Sequence, residues 1–172
     1  MSKLNNFERS RKNYKNRAIF QILLLLIIAI FLTVLPVSEI LRMMWPHWLL
    51  LLVIYAVVTR PANYGIFFGF ILGLMVDLLL SNKVGVHAMS YSIICYFLLK
   101  VQHKIYLFPL FQHGILAFFL VLFDSAILVI FSNAQFNLIF IEHCIFAAFS
   151  TSIIWAFLVK SLKLRQELSK IR

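Results

Sequence analysis

The chain has 172 residues, of which 63% are hydrophobic and only 13% charged, with 18 Phe among them. A soluble domain is nearer half apolar and a quarter charged, and no soluble fold of this length has enough interior to hide so much apolar surface. The net charge of +10 does not mark a nucleic-acid binder, because the cations gather at the two ends of an apolar chain, the pattern by which membrane proteins mark their cytoplasmic side.

The first element is a basic segment, residues 1–17, carrying Lys3, Arg9, Arg11, Lys12, Lys15 and Arg17. The apolar run Ala18–Val37 follows. At 20 residues it spans about 30 Å, too long for the core of a signal peptide, and no small-x-small cleavage site follows it. It reads as an uncleaved first transmembrane helix. Pro46 suits the first turn of a second helix, Pro46–Thr59, short enough to require tilt or a thinner bilayer. Arg60-Pro61-Ala62-Asn63 breaks the chain, and a third helix is expected over Pro61–Leu80. Ser81–Gly85 is a turn. A fourth helix, Val86–Leu99, leads into the basic loop Lys100–Lys104. The fifth and sixth are expected at Pro109–Phe131 and Leu138–Val159. Residues 160–172, with Lys160, Lys163, Arg165, Lys170 and Arg172, form a short basic helix or tail. The domain plan is thus one six-helix transmembrane unit, residues 18–159, between two basic cytoplasmic segments. Cys95 and Cys144 lie inside apolar runs without metal-ligand spacing and read as small fillers rather than a disulfide.

An all-α polytopic protein with six spans has both termini on one side. Placing them inside puts 14 cations in the cytoplasm and leaves Arg42 and Lys83 outside, an asymmetry that favours N-in, C-in. Trp45 and Trp48 then fall at the outer interface, where indole rings settle. The cytoplasmic ends are also placed to touch anionic headgroups.

The stretch G-I-F-F-G-F-I-L-G-L-M-V-D sets Gly65, Gly69, Gly73 and Asp77 four residues apart. On a helix, steps of 400° make one slanted stripe. Small residues let backbones approach in lipid, where apolar side chains give no reason to associate. The stripe is therefore a packing seam, either within the protein or against a partner's helix, and it ends in a carboxylate. Asp77, Asp124 and Glu142 are intramembrane acids, which are costly in lipid and functional candidates by default. The expected topology puts all three in the outer half, with His47, His87 and His143 near the same boundary. This outward polar layer has three readings: solvation and interhelical hydrogen bonds, a pocket for a ligand or a partner's segment, or chemistry. The chemical reading is the weakest. No ligand-pair spacing supports a metal. Two aspartates suffice for an acid/base dyad, but F-D-S-A and M-V-D-L lack the Asn and Arg neighbours found in lipoprotein signal peptidases. No phosphate-binding loop, H-E-x-x-H or G-x-S-x-G is present.

P-H-W-L-L-L-L-V-I-Y from Pro46, G-x-x-x-G-x-x-x-D-L-L over Gly69–Leu79 and S-x-x-x-G-V-H-A-M-S-Y over Ser81–Tyr91 resemble the rod shape-determining MreD family. The likeness runs from about Pro46 to the C-terminus, and Asp124 falls where proteobacterial members also carry an Asp. The resemblance implies a non-enzymatic scaffold of the cell-elongation machinery in a bacterial inner membrane, without a cofactor. It implies direct pairing with MreC, and through it a link between MreB filaments and the synthases of lateral peptidoglycan. It also implies a fold like the substrate-binding subunits of energy-coupling-factor vitamin transporters. Two other classes stay open: such a transporter subunit, which needs a polar, aromatic-lined pocket, and an intramembrane hydrolase, which needs Asp77 or Asp124 as a catalyst. Whether the chain forms a homo-oligomer is not legible.

Overall fold

A computed structural model describes residues 19–38, 41–42, 44–80, 84–105, 108–132 and 138–171, with backbone alone for 132, 138–140 and 162–171. The N-terminal basic segment and Lys83 lie outside the described residues. Six helices of substantial length form the described chain: α1 Ile19–Val34, α2 Trp48–Thr59, α3 Ile66–Leu79, α4 Val86–Ile105, α5 Leu110–Ser132 and α6 Leu138–Ile171.

Their limits correct the expected ones for local reasons. α1 stops at Val34 rather than Val37, ahead of Pro36, because the residue before a proline is driven out of the helical region. Trp45 Nε1 then donates to the Leu32 carbonyl at 3.0 Å, satisfying an acceptor that the end of α1 leaves open. α2 begins at Trp48, two residues later than expected. α3 begins at Ile66, not Pro61, because residues 60–64 close a turn in which Asn63 and Tyr64 donate to the Arg60 carbonyl. Gly65 is therefore the N-cap of α3, in extended backbone, and not a helical residue. α4 runs six residues past Leu99, through the stretch expected as a basic loop. Lys and Gln are good helix formers, and His103 and Lys104 complement the negative end of the helix dipole. α6 passes Val159 unbroken to Ile171, through a Lys-, Leu- and Arg-rich stretch of high helix propensity.

Two segments, Leu110–Phe131 and Ile141–Ser161, are long and apolar enough to cross a membrane. α1, α2 and α3 are apolar but shorter; the 12 residues of α2 extend only about 18 Å. The reason α2 can be apolar all round is its position. Nine of its residues, from Leu49 to Val58, are buried, which makes it the central helix of the bundle. α3 packs chiefly on α4, α5 chiefly on α6, and α2 touches α3, α4 and α6. Trp155 on α6 is fully buried in the core. The outer faces carry Phe67, Phe111, Phe119 and Phe157, each more than 60% exposed, an apolar surface far beyond what a soluble monomer presents.

Candidate functional site: a buried carboxylate–histidine node

The sequence stripe on α3 resolves into two different structures. Gly69 and Gly73 face α4 directly. A Cβ at Gly69 would come within 3 Å of Cys95 Sγ and the Tyr91 carbonyl, and one at Gly73 would collide with the His87 carbonyl and the Ala88 backbone. Only hydrogen fits where two helix backbones come this close. Gly65 meets nothing nearer than Leu99 Cδ1 at 4.0 Å, so it is no part of this seam.

The close approach delivers Asp77 to the start of α4. The side chain is 1% exposed. Its Oδ2 accepts the Gly85 N–H at 2.8 Å and the Ala88 N–H at 3.4 Å, and its Oδ1 accepts the His87 N–H at 3.1 Å. These are backbone donors that the first turn of a helix leaves without intrahelical partners, and a carboxylate there also meets the positive end of the dipole. Gly85 turns the chain into this position at φ +104°, a region that other residues enter at a cost.

Asp124 on α5 is 0% exposed. Its Oδ1 lies 3.3 Å from His87 Nδ1 and its Oδ2 lies 3.5 Å from His47 Nδ1. The first contact is a hydrogen bond; the second is long for one and is a looser polar contact. His87 is 2% exposed and sets its ring edge-on to Tyr91 at 5.8 Å. The His47 N–H, at the entry to α2, donates to Thr151 Oγ1 on α6 at 3.2 Å, and Thr151 in turn donates to the Ala147 carbonyl. Five helices thus meet through α3 Asp77, the first turn of α4, α5 Asp124, His47 before α2, and α6 Thr151.

Each carboxylate has its own donors, Asp77 from backbone N–H groups and Asp124 facing imidazoles. That is not the arrangement of an acid/base dyad, where facing carboxylates share a proton. No cluster of three or more His, Cys, Asp or Glu suited to a metal ion occurs among the described residues. A cavity of about 270 Å³ opens beside the node, with Arg42, Trp45, His47, His87, Tyr91 and His143 on its walls. Glu142, grouped with the two aspartates on the sequence, is exposed on α6 and does not line this cavity. Cys95 and Cys144 are free thiols.

Sequence reasoning missed three contributors. Thr151 carries no motif of its own. His113 is buried and packs edge-on to Phe108 and Trp155. Gly114 gives α5 a second close contact, where Ser152 Oγ on α6 donates to its carbonyl at 2.8 Å. The run A-A-F-S-T-S, residues 147–152, was the available signal, since small and hydroxyl residues at this spacing mark helix interfaces in lipid.

The family described as rod shape-determining protein MreD matches residues 15–164. The rod shape-determining protein MreD of Haemophilus influenzae is 31% identical over 139 residues, covering 79% of this chain and 84% of the relative. No solved structure matches.

Proposed function

The chain belongs to the MreD family, and from that premise we propose that it is a non-enzymatic membrane scaffold that maintains rod cell shape. In this reading it pairs with MreC and, through it, joins MreB to the synthases that insert lateral peptidoglycan. The observation that carries the scaffold role is the use made of the buried polar groups. Asp77, His87, Asp124, His47 and Thr151 hold helices to one another rather than converge on a space where a substrate fits. Intramembrane acids act either as glue or as sites, and here the contacts support glue.

The topology belongs to the same proposal: six crossings with both ends in the cytoplasm. The flanking charges support it, with Arg42 and Lys83 as the external cations. So does the gathering of Asp77, Gly85, His87 and His47 at one end of the bundle, which this topology makes the outer one. There the node presents a face, with the 270 Å³ cavity as its concave part, to the juxtamembrane segment of a partner.

A pull-down of the tagged protein from native membranes, read by mass spectrometry, tests the proposal. Near-stoichiometric MreC with traces of elongation synthases is the expected result. Recovery of ATPase subunits with a bound small molecule would overturn it in favour of transport.

A further inference from the structure

A second concavity lies on the far side of α4. It has a volume of about 1050 Å³, runs between α4 and α5, and is almost wholly apolar. Ile93 and Phe97 form one wall, and Ile115, Phe119 and Phe123 the other, all of them substantially exposed. Its one strongly polar lining residue is Gln112, in the first turn of α5. The polarity at that end continues beyond the walls. On an ideal helix Lys104 lies seven residues and about 10 Å beyond Phe97, rotated by only about 20°, and Lys100 lies about 60° away on the same side. Both lysines are exposed, and Lys100 Nζ rests 5.6 Å from the centre of the Tyr96 ring. α5 opens at Leu110 beside this end, and the N-terminus of a helix is its electropositive end. The groove is therefore apolar over α4 and α5, and beyond its Gln112 end it is flanked by two exposed lysines that do not themselves line it.

We propose that this groove is a binding site for one anionic membrane phospholipid, its acyl chain laid between Phe97 and Phe119 and its phosphate held at Lys100, Lys104 and Gln112. Charge selects this occupant. A purely apolar transmembrane helix gains nothing from two lysines at one end, and a zwitterionic lipid gains less from them than an anionic one, since each cation attracts a net negative headgroup. The assignment depends on which end of the groove is polar, not on which leaflet that end faces, so it stands apart from the proposed topology and from the proposed partners.

The test uses the full chain, purified in detergent and exposed to equal amounts of phosphatidylglycerol and phosphatidylcholine with identical acyl chains. Native mass spectrometry then counts the retained lipid. Preferential retention of one phosphatidylglycerol is expected, and the double variant Lys100→Gln/Lys104→Gln should lower that preference roughly 10- to 30-fold, the equivalent of two such cations. Both lysines are exposed, so the bundle should fold normally. Ile115→Trp, which narrows the groove between its two walls, should reduce retention of both lipids while leaving the lysines in place. Equal retention of the two lipids, or a preference unchanged in the lysine variant, would overturn the site. A photo-crosslinker at Ile115 that captures a partner's transmembrane helix in cells, in place of lipid, would overturn it equally.

Discussion

One helix, α4, treats two of its neighbours, α3 and α5, oppositely. Toward α3 it offers bare backbone, and Gly69 and Gly73 let α3 close on it until no Cβ fits. Toward α5 it offers Ile93 and Phe97, and an open apolar groove remains. What joins α4 to α5 instead is a polar tie at its first turn, His87 to Asp124. In lipid, where apolar contact alone gives little association, the difference follows directly: small residues fasten by proximity, buried polar pairs fasten by the lack of any alternative partner, and large side chains leave room for lipid.

The contrast can be broken most severely at the polar tie. Asp124→Ala removes the shared partner of His47 and His87. Leaving buried polar groups without their partner costs about 1–3 kcal/mol each, so the folded fraction of the purified protein should fall sharply in a detergent thermal melt. Gly73→Ala attacks the other fastening. Its methyl group is forced onto the α4 backbone, and overpacking of this kind costs about 1–3 kcal/mol. Gly65→Ala, on the same sequence stripe, meets no packed neighbour and loses only part of an N-cap, so it should cost about 0.5–1 kcal/mol, less than Gly73→Ala. A large effect at Gly65 would show that the seam extends further than Gly69. Asp77→Ala strips the start of α4 of its cap, worth about 0.5–2 kcal/mol, and hydrogen exchange should accelerate first at residues 85–88. Glu142→Gln, exposed on α6, should leave the melt unchanged.

The stripe also shows how far the sequence carries. Four-residue spacing identified Gly69, Gly73 and Asp77 as one face of a helix, and that is the face that meets α4. Spacing alone could not exclude Gly65, because what ends the stripe is the turn at residues 60–64, closed by bonds to the Arg60 carbonyl. Asp77 and Asp124 stood out because acids are rare in apolar runs; Glu142 stood out for the same reason and lies outside the cavity. Composition ranks such residues alike, whereas only the packing of helices distant in sequence decides which carboxylates are buried together. His47 and Thr151 are 104 residues apart, and no local pattern predicts their meeting. The helix limits depart from the sequence pattern where a run of charge suggests a loop. Lys100–Lys104 continues α4 because lysine and glutamine favour helix as long as their head groups reach water.

The central claim is that the buried carboxylates serve assembly. It is tested most directly by comparing rod-shape rescue with the amount of folded protein for Asp124→Asn in a strain depleted of its own copy. The two are expected to fall together, with any fraction of the protein that still folds also restoring rods in proportion. A variant that accumulates folded to parental levels and yet leaves the cells round would contradict it, and would give Asp124 a chemical role that this architecture does not require.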